Sequence, residues 1–560
     1  MLATLQRLQR ATGRLCKQPA FLYETGEDFL ERYVLSGWPE YRLWLCRNRF
    51  FTKQGLRDLH REAQRFRAKP LISVIMPVYN PDPAEFQQAI ESLLWQAYPH
   101  WELCIADDRS TNRDYLRVLG RLRDRRIKVY LNRRHAGIAG TSQHALERAS
   151  GDYIALMDQD DELSPDALFA FVRALQHQEI DYFYSDRDMI APNGGRTMHF
   201  MKPGWSPEYL LSFNYVCHLE IYRKSLVAAV GGFRDGYEGS QDYDLVLRAT
   251  EKSQKIYHHP MVLYNWRQSR NSVATNLEAK GYAFESGVRA VMDTAKRRAL
   301  PVKNVVENRE LWRGHYRLIW DETVLTDRKI TFVAIGETSE DTGRVTGLLK
   351  KIAGPFKNSE FLSARPGGAE LQDQIKGLHP DGRVFFCDGT VSEVVTPALV
   401  DMVGYLAIQG VSVVGCKFSA RNNTLCNAGL AVTESGRLLL AYRGNPVAEQ
   451  GYGAVAMVPR NVSAVSPAFW GTTVDDLRQK GFAGQPGGYY SAALHYFKET
   501  LKTGGRLVCV PYMCLEVDSA PRAYAEELKT FLKEWQEEGL QDRYYNPNLT
   551  DISADFALKL

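Results

Sequence analysis

The feature that most constrains the fold of this chain is an alternation of short apolar runs with helical patterns, which begins after Pro70. Residues 71–76 form a short apolar run of the buried-strand kind, and 102–106, 127–131 and 153–157 are predicted as three further strands. Helical patterns fill the intervals between them. Strands that alternate with helices predict an α/β fold built on a mostly parallel, doubly wound sheet.

Two of the intervening segments illustrate the helical signal. Asp82 and Pro83 are residue types that favour a helix N-cap and the first helical position. Apolar residues follow them at helical spacing, and 138–149 has a helical pattern as well. In a sheet of this kind ligands bind at the carboxyl ends of the strands, so the residues just after each strand are the candidates for a site.

Polar and acidic residues follow three of the predicted strands. Pro77, Val78 and Tyr79 follow the first strand, Asp107 and Asp108 follow the second, and the run Asp158-Gln159-Asp160-Asp161-Glu162 follows the fourth. Carboxylates crowded along one edge of a sheet repel each other and favour a bound counter-ion. Hard cations such as Mg²⁺ and Mn²⁺ prefer oxygen ligands and often bridge to substrate phosphates.

Five segments in this order carry a family resemblance: LISVIMPVYN, WELCIADDRS, GDYIALMDQDDELSPDAL, YSDRD and GSQDYDLVLR. Together they resemble a family 2 glycosyltransferase domain of the GT-A fold over about residues 70–300. They are most similar to the bacterial enzymes that build O-antigens and related surface polysaccharides. The resemblance implies a nucleotide-sugar donor carrying UDP, dTDP or GDP, a glycan acceptor, and Mn²⁺ or Mg²⁺.

The resemblance also implies roles for individual residues. Pro77, Val78 and Tyr79 would line the pocket for the nucleotide base and ribose, and Asp108 would hydrogen-bond the base. Asp158 would lie near the ribose and the metal, and Asp160 would be a direct metal ligand. Asp242 occupies the position of the general base that takes the proton of the acceptor hydroxyl. A metal and a base on opposite faces of the sugar imply one displacement with inversion; the alternative reading of Asp242 is a helix N-cap.

Five further residues are weaker candidates. Asp186 and Asp188 match an acidic pair near the donor sugar. Trp205 and His218 would contact the sugar or acceptor, and Arg267 would neutralise phosphate or simply pack. The chain departs from many relatives at Gln143, where they have Asn, and at Asn265, where they have His.

The second half of the chain resembles the first in three places. The segments that begin at Ser164, Asn214 and Lys255 resemble those that begin at Thr396, Asn461 and Arg506. We therefore expect a second, degenerate GT-A-like domain, in which Val391 and Ser491 replace the metal and base aspartates. The expected division is 1–69, a helical N-terminal region; 70–300, the catalytic domain; 301–327, a linker; 328–516, the degenerate domain; and 517–560, a C-terminal helix and tail. Whether the second domain holds acceptor glycan or only covers the first is left open.

Composition narrows the class of protein. The net charge of +4 is too small to indicate nucleic-acid binding, and no run approaches the roughly 18 apolar residues that a membrane helix needs. Arginines interrupt the apolar N-terminal stretch, so a secretory signal is not expected. Nine scattered cysteines without a CxxC pair are typical of a reducing cytoplasm. We expect a cytoplasmic protein.

The first 70 residues are basic, with 14 Lys and Arg against 7 Asp and Glu. Such a segment can lie on the anionic cytoplasmic face of the inner membrane, or it can be a helix that packs on the next domain. Two other functions also remain open: transfer of sugar to a surface appendage protein, and a non-catalytic scaffold for glycan assembly. A nucleotidyltransferase is disfavoured, because it would begin with a Gly-rich basic loop where this chain has Met76–Asn80.

Overall fold

The computed structural model describes residues 39–49, 51–269, 281–366, 370–482, 488–518, 525–553 and 555–560. The chain divides into two compact units. One unit runs to Lys202, resumes at Val216–Ala290 and includes Leu558–Leu560. The other comprises Pro203–Tyr215 and Val291–Ala557. The segment Pro203–Tyr215 therefore leaves the first unit and belongs to the second.

The α-helices are, in chain order, α1 (Pro39–Asn48), α2 (Lys53–Arg65), α3 (Pro83–Leu94), α4 (Arg113–Leu119), α5 (Gly137–Arg148), α6 (Ala167–Leu175), α7 (Pro207–Leu210), α8 (Lys224–Ala229), α9 (Gln241–Thr250), α10 (Gly281–Arg297), α11 (Glu322–Leu325), α12 (Ser339–Ala353), α13 (Glu370–Gly377), α14 (Leu399–Tyr405), α15 (Val474–Lys480), α16 (Gly488–Lys502) and α17 (Ala525–Glu537).

The strands are β1 (Ile72–Val78), β2 (Trp101–Asp107), β3 (Ile127–Leu131), β4 (Tyr153–Leu156), β5 (Glu162–Leu163), β6 (Tyr182–Ile190), β7 (Arg196–Phe200), β8 (Glu220–Arg223), β9 (Ile256–Arg267), β10 (Val302–Glu307), β11 (Tyr316–Trp320), β12 (Ile330–Ile335), β13 (Ser359–Ala364), β14 (Arg383–Asp388), β15 (Val391–Thr396), β16 (Val411–Ser419), β17 (Leu425–Asn427), β18 (Leu430–Val432), β19 (Leu438–Leu440), β20 (Arg460–Val462), β21 (Phe469–Thr473) and β22 (Arg506–Val517).

The sheet of the first unit has the order β3-β2-β1-β4-β8-β6-β9-β5, with β7 paired to β6. The strands from β3 to β4 are parallel, as their alternation with helices predicts. Beyond β4 the sheet is mixed, because β8 runs antiparallel to both of its neighbours. The α/β GT-A fold class is confirmed, although the sheet is less uniformly parallel than the alternation alone suggests.

The core beside β1 follows from the helical spacing of α3. Phe86, Ile90 and Leu93 lie on one face of this helix and are buried in the same cluster as the side chains of β1. Burial of each such side chain stabilises the fold by about 1.5–3 kcal/mol. The helix begins as predicted: Asp82 is the N-cap, its side chain accepts hydrogen bonds from two backbone N–H groups, and Pro83 follows.

The sheet of the second unit repeats the first. Its order is β13-β12-β14-β21-β16-β22-β15, and each neighbouring pair runs in the same sense as its counterpart in β2-β1-β4-β8-β6-β9-β5. A counterpart of β3 is the one strand of that path not found among the described residues. The three sequence similarities adjoin or include equivalent strands, β5 with β15, β8 with β21 and β9 with β22. The second unit is therefore a GT-A-like domain.

The terminal segments pack on these two folds. In the first unit, Tyr41 and Trp44 of α1 are buried. In the second unit, Phe531 and Trp535 of α17 join the core. The basic segment 1–17, on which the membrane hypothesis depends, lies outside the described residues. Within the described residues, none of the helices is both long enough and apolar enough to span a bilayer.

Candidate active site

The acidic loop after β4 is held in place by Arg267 at the end of β9. The Arg267 backbone N–H donates to the Asp161 carboxylate at 2.7 Å, and its Nε donates to the Asp160 carbonyl at 2.7 Å. Its guanidinium also forms an ion pair with Glu162. Arg267 is buried, and these contacts hold the acidic loop in position. A contact with phosphate stays a prediction.

Asp161 lies at the centre of the loop and is fully buried. Its carboxylate accepts a hydrogen bond of 2.5 Å from the Tyr264 hydroxyl. Burial, reinforced by the neighbouring carboxylates of Asp160 and Asp158, raises the pKa of Asp161 well above its usual range. The Asp158 side chain, by contrast, is 39% exposed. Carboxylate oxygens in this setting fit a hard divalent cation.

The residues after β1 form the rim next to this loop. Pro77 and Val78 end the strand, and the Tyr79 backbone N–H donates to the Gln159 side chain at 2.8 Å. The Tyr79 ring is half exposed and lies 4.9 Å, centroid to centroid, from the ring of His135. An exposed aromatic face at the carboxyl edge of the sheet can stack on a planar base. Nucleotide binding by these residues stays a prediction.

Asp108 is buried and already well supplied with donors. Its carboxylate accepts hydrogen bonds from the Asn132 side chain at 2.8 Å and from the backbone N–H groups of Ala136 and Gly137 at 2.7 and 3.0 Å. The His135 ring lies 2.8 Å from it. Asp108 thus anchors the start of α5, and a hydrogen bond to a base would be an additional role.

Asp242 lies in the first turn of α9 and is half-buried. The N-cap of this helix is Ser240, so the reading of Asp242 as the N-cap does not hold. Gly239 leads into the helix with φ +76°, and a Cβ there would lie 2.5 Å from Ala283. The positive end of the helix favours an ionised carboxylate at this position.

His218 lies close to both the acidic loop and α9. Its Nε2 is 3.7 Å from an Asp158 carboxylate oxygen, and ligand atoms of Cys217, His218 and Asp242 lie within 4.8 Å of one another. The ring stacks on Tyr264 at 4.8 Å. Burial lowers the pKa of His218 to about 3, so the imidazole is neutral at physiological pH. The fold therefore places a neutral imidazole beside both Asp158 and Asp242.

A buried lysine, Lys202, holds the backbone around His218 in place. The Lys202 ammonium donates to the carbonyls of Val216 and His218, and its backbone N–H donates to Asp186 at 2.9 Å. Burial lowers the pKa of Lys202 to about 7. Lys202 thereby ties together the two points at which the chain leaves and re-enters the first unit.

Asp186 and Asp188 are fully buried in β6. Asp186 accepts from His258 at 2.8 Å as well as from Lys202. Asp188 accepts from Arg196 at 2.6 Å, from Asn265 at 2.9 Å and from the Tyr41 hydroxyl. Contact of either carboxylate with a donor sugar would require these partners to move, and that role stays a prediction.

Trp205 does not belong to the first unit. It lies in Pro203–Tyr215, which clusters with the second unit, and it is half-buried there. Its predicted contact with sugar or acceptor stays a prediction.

In the second unit, the strand end that matches β4 carries one carboxylate, Asp388, which is buried. It accepts hydrogen bonds from the Tyr490 hydroxyl at 2.7 Å and from the Thr390 backbone N–H at 2.8 Å. Burial raises the pKa of Asp388. The position is thus filled by the unit's own side chains.

Sequence reasoning missed several residues that shape the site. Asp161 is visible in the acidic run, but its burial is not. Lys202 and Cys217 had no sequence signal, because their contacts form only when distant segments meet at the carboxyl edge.

Comparisons with known proteins show which family the first unit resembles. Residues 73–230 match the family model described as Glycosyl transferase family 2. An uncharacterized protein of Sinorhizobium fredii, y4gI, is 32% identical over 487 residues, which cover 79% of this chain and 51% of that protein. The O-antigen biosynthesis protein RfbC of Myxococcus xanthus is 33% identical over 232 residues, 41% of this chain and 18% of that protein.

Among solved structures, S. aureus TarS 1–349 in complex with UDP-GlcNAc is similar, with 19% identity and a TM-score of 0.33. The alignment covers 39% of this chain and 65% of that one. The chain spans about half, or less, of the length of the two curated relatives.

Proposed function

We propose that this chain, whose residues 73–230 form a family 2 glycosyltransferase domain, transfers a sugar from a nucleotide-sugar donor to a growing bacterial surface glycan. The donor would carry UDP, dTDP or GDP, and the acceptor would be an O-antigen or related polysaccharide on a lipid carrier. The reaction would invert the anomeric carbon and depend on Mn²⁺ or Mg²⁺. It would take place in the cytoplasm, at the inner face of the membrane.

The observation that carries this proposal is the meeting of Asp158, His218 and Asp242 at the carboxyl edge of the first sheet. One carboxylate belongs to the acidic loop that suits a hard cation, and the other belongs to the first turn of α9. The neutral His218 ring lies close to both of them. This arrangement supports a leaving-group side and a base side of one reaction centre.

In the proposed reaction Asp242 accepts the proton of the acceptor hydroxyl while that oxygen forms a bond to the anomeric carbon. The bond between the anomeric carbon and the diphosphate oxygen breaks, and the electron pair leaves with the diphosphate. A divalent cation held by Asp158 and Asp160 would supply charge stabilisation for that leaving group. Arg267 keeps the loop that carries both carboxylates in place through its contacts to Asp161 and Glu162.

We propose that the second unit does not transfer sugar. Its remaining strand-end carboxylate, Asp388, is buried and bonded to Tyr490 and Thr390. Ser491 stands where sequence similarity aligns the base.

The test is the thermal stability of the full chain with UDP, dTDP, GDP and CMP, each with and without Mn²⁺. A ligand that binds only the folded state stabilises it by about 2.7 kcal/mol at one hundred times its dissociation constant. We expect one nucleotide to raise the melting temperature only when metal is present. Asp160→Asn should abolish this shift.

Asp114→Asn is the matched control, since it removes an exposed carboxylate of the same unit that pairs only with Arg117 among the described residues. It should leave the nucleotide shift unchanged. A shift that survives in Asp160→Asn, or the lack of a shift with every nucleotide, would contradict the proposal and favour the scaffold alternative. A transfer assay with both kinds of acceptor then identifies the acceptor class, and we expect transfer to the lipid-linked glycan and not to the appendage protein.

A further inference from the structure

Around Asp242, the proposed base, the fold assembles a second set of metal-ligand types. Ligand atoms of Cys217, His218 and Asp242 lie within 4.8 Å of one another. Cys217 is a free thiol and half-buried, His218 is buried, and Asp242 is half-buried. One sulfur, one nitrogen and one oxygen donor therefore converge on a small volume.

His218 also carries an unsatisfied polar atom. His218 is 7% exposed, and its Nδ1 is buried with no hydrogen-bond partner in the part of the chain that the structure describes. Buried polar atoms are normally satisfied, and an exception calls for an explanation such as an ion. A bound cation would satisfy a ring nitrogen of this kind.

The loop that carries two of the three donors is rigidly supported. The Lys202 ammonium donates to the carbonyls on either side of Cys217, those of Val216 and His218. The backbone N–H of Lys202 is itself fixed on Asp186. Donors held by such a framework lose little freedom when an ion binds, which favours affinity.

The chemistry of the donor set selects the kind of metal. Thiolate and imidazole favour Zn²⁺ and Co²⁺, whereas Mg²⁺ and Mn²⁺ favour oxygen ligands. Zn²⁺ sites with three protein ligands keep a fourth position for water. The all-carboxylate loop at Asp158 and Asp160 and this mixed cluster therefore suit different cations.

We propose that Cys217, His218 and Asp242 form a zinc-class site that is distinct from the hard-cation site of the acidic loop. An ion bound there occupies the Asp242 carboxylate and so prevents it from accepting a proton. Zinc would then inhibit transfer, a consequence that rests on the proposed function, while the binding site itself does not. On binding, the Cys217 thiol proton is released to solvent.

The binding test uses the full chain without donor nucleotide. Zn²⁺ uptake is measured by competition with a chromophoric chelator, and Co²⁺ replaces Zn²⁺ for absorption spectra. We expect Cys217→Ser to weaken uptake by about 100-fold or more, because even outer-shell partners of a metal are worth about 10–100-fold in affinity. His218→Gln should weaken it similarly. Cys426→Ser, which removes a half-buried thiol of the second unit, is the control and should bind as wild type.

The Co²⁺ complex should show a thiolate-to-cobalt charge-transfer band that is absent from Cys217→Ser. Equal uptake by wild type and Cys217→Ser, or a Co²⁺ spectrum without that band, overturns the proposal. If His218→Gln does not fold, the cysteine variant and the spectrum still decide.

The activity arm is read separately. Measured against its own rate in zinc-free Mg²⁺ buffer, Cys217→Ser should need about 100-fold or more zinc for the same fractional inhibition. Equal zinc sensitivity in wild type and variant overturns the inhibitory role. A protein that binds zinc as described but transfers no sugar in zinc-free buffer would speak against the proposed function and leave the site intact.

Discussion

The ion pair between Glu208 and Arg506 offers a sharp test of how the second unit holds the segment Pro203–Tyr215. The Glu208 side chain is fully buried, and Arg506 donates to it at 2.8 Å from Nη2 and at 3.0 Å from Nε. Asn461 donates at 2.7 Å to the same carboxylate. Arg506→Met would leave this carboxylate buried without its countercharge.

The size of the effect follows from burial. Removing one partner of a buried ion pair costs about 3–5 kcal/mol. The Arg506 side chain is 24% exposed, so water can partly replace it, and we take about 3 kcal/mol from the lower end of that range. A unit of about 280 residues unfolds with an entropy of about 0.6 kcal/mol/K. The melting temperature of the second unit should therefore fall by about 5 °C.

Differential scanning calorimetry of the full chain measures this shift. The double variant Glu208→Gln/Arg506→Met removes both charges and should recover most of the loss, because no buried charge remains unpaired. Arg421→Met is the control: its side chain is 74% exposed, and its ion pairs are worth at most about 1 kcal/mol. The reasoning fails if Arg506→Met behaves like Arg421→Met, or if the double variant is no more stable than Arg506→Met.

Three further predictions test the site and the second unit. Asp242→Asn should lower kcat by about 10²–10⁴-fold while the nucleotide-induced thermal shift remains; a normal kcat would exclude it as the base. Burial, with Asp242 nearby, raises the pKa of Glu220 to about 8. Between about pH 4.5 and pH 8 the folded state therefore keeps a proton that the unfolded state has lost, and wild type loses stability as the pH rises through this range. Glu220→Gln has no carboxylate to ionise. The difference in unfolding free energy between this variant and wild type, measured with denaturant, should therefore shift by about 3 kcal/mol in favour of the variant from pH 5 to pH 7.5. A difference that does not change with pH would contradict this. Tyr490→Phe removes the hydroxyl that donates to Asp388 and should lower the stability measured by calorimetry by about 1–3 kcal/mol. Transfer should be unchanged; a loss of transfer would indicate that the second unit takes part in the reaction.

The elements of the first half could be predicted because each is encoded locally. The apolar run at β3 coincides with the strand residue by residue, and the Asp82-Pro83 pair marks the start of α3. Period and capping depend on neighbours within a few residues, so a sequence displays them directly. The mixed half of the sheet was less visible, because strand direction beyond β4 depends on pairings such as β4 with β8 that no local pattern reports.

The same distinction separates the parts of the candidate site. The acidic run after β4 and the aspartate before the apolar run of α9 could be picked out by type and position. The structural role of Arg267 could not be predicted, because its partners Asp161 and Glu162 lie more than one hundred residues away along the chain. Nor could the internal partners of Asp108 and Asp186, which give these two predicted site residues a structural role as well.

The chain as written already displays the alternation of strands and helices, the acidic residues at strand ends and the repeat in the second half. These depend on residue type, spacing and similarity, which are properties of the chain as written. The position of His218 beside both Asp158 and Asp242, and the hydrogen bond from Lys202 to its backbone carbonyl, arise only in the tertiary structure. Those contacts arise because β4, β8 and β9 bring separate segments to one edge of the sheet, where burial changes the protonation of the groups it encloses.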